Sequence, residues 1–504
     1  MDDNFIEDNL AEEPFLASAA RIADEIETQE GYSEIISLIA VRSAESGLLD
    51  AAIQLAVGVN DPYIRDQALA SIAAECVEFG EADYADELLG MIEDSGLYGA
   101  AMEQVAVKYA ETGAFDRALE MAGEMDDSGQ ALSRIALAYF DSGDAAKALD
   151  AARSIEDAGL RANTLIELAA RGFRSNHDSE AAEKLLIEAG RGAEEIEFSQ
   201  ERINSLLDVA SLYKETGKEE EALEIVVSAD RLCDSMEDEP YTGLPVTYAR
   251  DETRALVATR FAQLGRFAEA DAVIEKIEDP LQFASAAAGA AVEYKKAGQG
   301  EQAQTLLAEA LDLAKEEVYG ERTLIERDTL LASLAVSYAE VGRLDGALEV
   351  AKMVSVPNKQ FAAWRDVGKA FARSNNHNGI FQVADLIQHA YGKVIYDIEM
   401  SEAEAGLGEE ELAAGLLSQA LKDAEAVEMP FEKSLALMEV GSRFAQRAQP
   451  EKASELLLQS LDAAAKIESN YQLARVLIQL DDKYRQAGLE PGEREESILQ
   501  KIVP

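Results

Sequence analysis

Arg365, Lys369 and Arg373 lie four residues apart, so a helix through them carries three cations on one stripe. Arginine's planar fork suits bidentate carboxylate recognition, and lysine adds a point charge. The window from Lys352 to Lys393 holds six basic residues against two acids, Asp366 and Asp385, along with Trp364, His377 and His389. In a chain with 98 acidic and 45 basic side chains this is a local reversal of sign. The chemistry it offers is capture of an acidic peptide or a C-terminal carboxylate. The competing use is ion pairing with Glu340 and Glu402. Catalysis finds no foothold: there is no GxGxxG after a strand, no P-loop, no GxSxG and no HExxH. The run Glu409, Glu410, Glu411 reads as a solvated helical face. His177 and His377 read as solvated turn residues, so neither a metal nor a cofactor is expected. Cys76 reads as buried and Cys233 as either buried or free, and no disulfide is expected between them.

The elements that must position these side chains follow from a spaced pattern repeated thirteen times. Its turn residues are Gly47, Gly80, Gly113, Gly143, Asn176, Gly217, Gly265, Gly298, Gly342, Asn375, Gly408, Ala448 and Gly488, at steps of 33, 33, 30, 33, 41, 48, 33, 44, 33, 33, 40 and 40. A period in the thirties means stacked copies of one supersecondary unit. Seven residues before the turn sits a small side chain, from Ala40, Ala73 and Ala106 to Gly368, Ser401 and Gly441; only Asp481, in the last repeat, breaks the series. An apolar residue lies eight before, and an aromatic such as Tyr109, Tyr139, Phe261 or Phe371 often lies four before. These offsets share one helical face. The turn residue supplies a left-handed cap. Five residues later an Ala (Ala52, Ala85, Ala118, Ala148, Ala181 and others) opens the inner face of a second helix. Asp61, Asp94, Asp127, Asp157 and Asp279, each fourteen past a turn, suit the next N-cap. Glu301 to Glu317 reads as one long second helix, and Asp238 to Thr247 as a loop.

With these residues in view, the chain resembles the tetratricopeptide repeat family. Trp364-x-x-Val367-Gly368-x-x-Phe371 mirrors that family's Trp, Leu-Gly and Tyr, and the Gly-then-Ala signature matches in most repeats from about 32 to 490. Trp otherwise gives way to residues such as Ile36, Leu69 and Leu132. The resemblance implies an all-α, right-handed superhelical solenoid of about 26 helices. It also implies that the first helices line a concave groove, with residues ten, six and two before each turn facing it. That places Arg365, Lys369 and Arg373 in the groove, with Lys296 and the adjacent Lys295, and with Arg174. The Lys, Arg and Asn clamp of some family members is not reproduced, which argues against a chaperone-tail receptor. The expected function is a non-catalytic protein–protein interaction scaffold. Alternatives are a regulatory or sensor solenoid holding a peptide or small ligand, and an accessory subunit of an enzyme complex. The expected organisation is an acidic tail over 1–16, the array over 17–490 and a capping segment over 491–504.

At 504 residues the chain exceeds an ordinary single core, a limit that a solenoid avoids because each repeat buries its face on its neighbours. The net charge of −53 is spread along every repeat, so it reads as a solvated surface, an adaptation to salt, or an attraction for a basic partner. Repulsion from a phosphate backbone argues against nucleic acid. No apolar run of about 20 residues suggests a membrane span, and Met1 to Leu16 carries six acids with no base, unlike a secretory signal; a cytoplasmic location is expected. The charge generates a first prediction. Thermal stability rises with added salt toward 1 M, where the screening length falls to about 3 Å, and equal melting temperatures at low and molar salt would refute it.

Overall fold

In the computed structural model, described over residues 9–175, 179–237, 246–315 and 321–503, every described element is a helix. The turn at Asn176, His177 and most of the loop expected at 238–247 lie outside the described residues, as do residues 1–8 of the expected acidic tail. The other twelve turn residues all have φ between 55° and 90°, including Asn375 and Ala448. After each of them the next amide donates to the carbonyl of the residue four before the turn, as in Leu48 to Ser43 at 2.9 Å and Ala114 to Tyr109 at 2.7 Å. This 6→1 bond closes each first helix by satisfying a carbonyl that the helix end would leave orphaned.

Most first helices are long: Gln29–Glu45, Pro62–Glu78 and Pro357–Arg373 each have 17 residues. Second helices vary. Those in short steps have 8 to 10 residues, such as Leu49–Val57 and Ala82–Leu89; those in long steps have 15 to 17, such as Ser179–Glu194, Gly300–Lys315 and Glu410–Ala426. The small residues seven before the turn are buried, with Ala40, Ala73, Ala106, Ala136, Ala258 and Ala335 fully so. The Ala residues five after the turn, from Ala52 and Ala85 to Ala413 and Ala453, are equally closed off. At Gly441 an added Cβ would lie 3.3 Å from the Leu456 Cβ, which shows how closely the two helices approach. One register differs from expectation. After Asn176 the fully buried Ala is Ala182 rather than Ala181, and a Cβ at Gly172 would come within 2.8 Å of its side chain. Trp364, Ile36 and Leu69 are buried, as are both cysteines, whose thiols burial pushes up to about 11.

The chain divides into two compact units. The second spans 136–386, and the first joins 1–135 to 387–504. Within the first, helix Pro14–Ala23 packs on Asn470–Gln486, which also meets Gln29–Glu45. Phe15 lies against Tyr484 with ring centroids 5.0 Å apart. The first and last repeats therefore share a seam.

Because the small residues sit where helices touch, Ala136→Leu and Ala258→Leu should each cost about 1–3 kcal/mol by overpacking. Asp141→Ala, which loses only an exposed pair with Arg171, should cost no more than about 1 kcal/mol. Chemical denaturation would separate the two classes; equal midpoints would mean the helix faces are misassigned.

Candidate functional site

The six candidate cations all fall in the second compact unit but on three separate first helices. Arg174 is on Ala158–Ser175, Lys295 and Lys296 on Pro280–Lys296, and Arg365, Lys369 and Arg373 on Pro357–Arg373. Two first helices, Ser199–Glu215 and Val246–Gln263, come between the first pair in chain order, and Glu321–Glu340 comes between the second. They thus form one stripe of three and two outlying positions.

The stripe itself is as the spacing implies. Arg365 and Lys369 are half-buried and Arg373 is exposed, while Trp364 is buried on the opposite face, beside Gly368 and Phe371. Arg365 stands 5.8 Å from the centroid of the Phe361 ring. Arg373 donates to Glu340 at 2.8 Å, the pairing that the sequence offers as the competing use. Glu402, the other acid so considered, pairs instead with Arg443. Two more cations of the basic window are also engaged: Lys359 donates to the Ile325 carbonyl at 3.3 Å, and Lys393 pairs with Asp423 at 3.3 Å. His389 accepts the Gly392 amide through Nδ1 at 3.1 Å and so acts as an N-cap. Of the outlying cations, Lys296 pairs with Glu293 at 2.7 Å and Arg174 donates to the Ala170 carbonyl within its own helix at 3.2 Å.

Two further uses of charge run along the array. The first is a ladder. A cation five before the turn pairs with an acid of the preceding repeat: Lys108 with Glu78 at 3.5 Å, Arg171 with Asp141 at 2.6 Å, Arg260 with Asp208 at 3.7 Å and Lys483 with Glu439 at 3.7 Å. Between three of these first helices, Gln29–Glu45, Pro62–Glu78 and Ser95–Glu111, lies an open cleft of about 330 Å³, with Val41, Ala74 and Val107 in its lining and Glu45, Glu75 and Glu111 around Lys108.

The second use is a set of buried aspartates fourteen before the turn, which the sequence reading missed. Asp66 accepts the amides of Glu93 and Asp94 at 2.9 and 3.0 Å, Asp251 those of Glu278 and Asp279 at 2.9 and 2.8 Å, and Asp328 those of Ser355 and Val356, both at 2.8 Å. Each carboxylate ties its helix to the start of the next first helix, and each has an Arg beside it: Arg65, Arg254 or Arg327. In all three the second tethered residue, Asp94, Asp279 or Val356, is the N-cap, and at Asp94 and Asp279 the side chain itself caps the helix. The Asp66 and Asp328 carboxyls are pulled both ways. Burial pushes them up, but the backbone donors and the adjacent Arg outweigh it and hold both below the ordinary carboxylate range. A sequence signal existed: Asp next to Arg on a face otherwise apolar.

With this geometry in view, the chain is an all-α protein of stacked helical hairpins, the arrangement that the tetratricopeptide resemblance implies. No protein-family profile and no curated protein matches it. Solved structures similar in fold include Ton1535 from Thermococcus onnurineus NA1, at 16% identity and a TM-score of 0.25, covering 71% of this chain and 96% of that one. Yeast Tom70 is 13% identical, with a TM-score of 0.27, over 91% of this chain and 97% of that one. The human IFIT1 dimer with PPP-AAAA is 14% identical, with a TM-score of 0.30, over 88% and 96%. Among the described residues no cluster of metal-ligating side chains occurs, and no helix is long and apolar enough to cross a membrane.

The depressed carboxyls generate a pH prediction. A lowered folded pKa stabilises the fold above the unfolded value, near 4, and that stability is lost as pH falls through the lower folded value. Asp66→Asn and Asp328→Asn should each lower stability at pH 7 by about 1–3 kcal/mol and flatten the acid limb of the stability curve below about pH 4. An unchanged acid limb would show that these carboxylates are not held ionised.

Proposed function

We propose that this protein is a non-catalytic scaffold that holds a protein or peptide partner on the first helices of its second compact unit, at Arg365, Lys369 and Arg373. The observation that supports this most is the state of Arg373. More than half of its side chain is exposed, and its pair with Glu340 is a surface pair. Such pairs contribute about 0–1 kcal/mol. A partner carboxylate can therefore take the place of Glu340 at little cost, while Arg365 and Lys369 extend the contact along the stripe. The partner is an acidic segment or a C-terminal carboxylate, and Lys295, Lys296 and Arg174 are outlying contacts for a longer one. That the partner is not a nucleic acid rests on the chain's net charge of −53. The similar folds do not support that exclusion, since one of them is the IFIT1 dimer with PPP-AAAA.

The test uses a panel of acidic peptides with free C-termini, followed by fluorescence anisotropy. Wild type should bind one class saturably. Replacing Arg365, Lys369 and Arg373 together by Ala should weaken that binding by about 2 kcal/mol or more with helicity unchanged. Trp364→Ala should instead lower stability, by about 3–5 kcal/mol. Undiminished binding by the triple variant would assign the stripe to intramolecular pairing.

A further inference from the structure

The seam of the first compact unit is built like an internal joint of the array. At internal joints a cation five before the turn reaches back to the preceding repeat, as Lys108, Arg443 and Lys483 do. Arg42 holds that position in the first repeat. It reaches the last repeat instead, donating to Asp481 at 3.3 Å and to Asp482. Asp481 is the residue that breaks the small-residue series, and it also accepts from Arg485 at 2.9 Å. Arg485 in turn pairs with Glu13, Tyr471 bonds Glu34, and the Asn470 amide donates to the Glu25 carbonyl. Phe15 and Tyr484 are buried together at its centre, where the Tyr484 hydroxyl meets Glu495.

The two sides of this seam are different surfaces, so it is a heterologous contact. Each repeat of a solenoid covers only its neighbours, and exposed terminal faces need a cap. Here each end is the other's cap. If the seam opens, both buried faces are exposed at once, and each is complementary to a face on any other copy. We propose that the seam is an exchangeable interface whose second occupant is another copy of this chain, docked head to tail, so that two chains close each other where one chain closes itself. Closure within one chain is favoured at low concentration because the ends are tethered and their effective concentration is high. Exchange requires opening, high concentration, and salt enough to screen the repulsion between two chains of −53.

Charge exchange across the seam tests this on the full chain. Arg42→Asp places three carboxylates together, and Asp482→Arg places a cation against Arg42. Each single variant should melt several degrees below wild type, and the two substitutions in one chain should recover most of the loss. When the two single variants are unfolded together in urea and refolded as a mixture at molar salt, light scattering should find a species of twice the 54.5 kDa monomer mass that neither forms alone. Wild type refolded at rising concentration should give a growing fraction of the same double-mass species, which reads the proposal even if a variant fails to fold. A mixture that stays monomeric, single variants that melt like wild type, or wild type that never dimerises would each overturn it.

Discussion

Everything in this protein depends on how closely two helices can approach. Ala, Gly or Ser seven before the turn is buried against the second helix, whose Ala five after the turn is closed off in most repeats, and the left-handed residue between them reverses the chain. That constraint explains the low aromatic content of 6% and the abundance of Ala. A joint built from small side chains buries little area per residue. Stability must then come from many equivalent joints rather than from one large core, so the pattern has to repeat almost without error.

The acidity is less uniform in its work than the composition suggests. Most carboxylates face solvent, but three are buried and tie one repeat to the next. Asp66, Asp251 and Asp328 are buried and accept two backbone amides each from the next inter-repeat turn. At the same register in a later repeat a neutral side chain works the other way: the Ser434 hydroxyl donates to the Ser460 carbonyl at 2.9 Å, 26 residues on. The ladder of cations uses the scarce bases at joints, where each one touches two repeats. In a chain with so few positive charges, this placement concentrates them where they link neighbours.

The architecture was legible because its signal is local. A turn residue, a small residue seven back and an Ala five ahead can be read from one stretch of about a dozen residues, and the capping aspartates Asp61, Asp94, Asp157 and Asp279 follow from the same frame. The Asn176 repeat was read one residue out, at Ala181 instead of Ala182, because Ala181 and Ala182 adjoin and only packing against Gly172 distinguishes them. The buried aspartates left only a faint trace, Asp next to Arg on an otherwise apolar face, since their partners are backbone amides 27 and 28 residues away that carry no side-chain identity. Nor was the seam, although its trace was present: Asp481 was visible as a break, but its meaning lies in Arg42, more than 400 residues away in sequence. For the candidate stripe, the spacing of Arg365, Lys369 and Arg373 and the pairing of Arg373 with Glu340 could both be read from offsets, because adjacent repeats bring equal positions side by side.

The two lengths of second helix have a consequence for how such a chain can change. Second helices have mostly 8 or 9 residues in the short repeats and 15 to 17 in the long ones, while first helices stay mostly at 17. The difference is close to two full turns at 3.6 residues per turn. An insertion of that size returns the next residue to the face it would have occupied, so the inner Ala and the apolar row keep their direction. Insertions of five would rotate the polar face into the joint. About two helical turns, or roughly seven residues, is thus a length by which a second helix can grow without disturbing its neighbours.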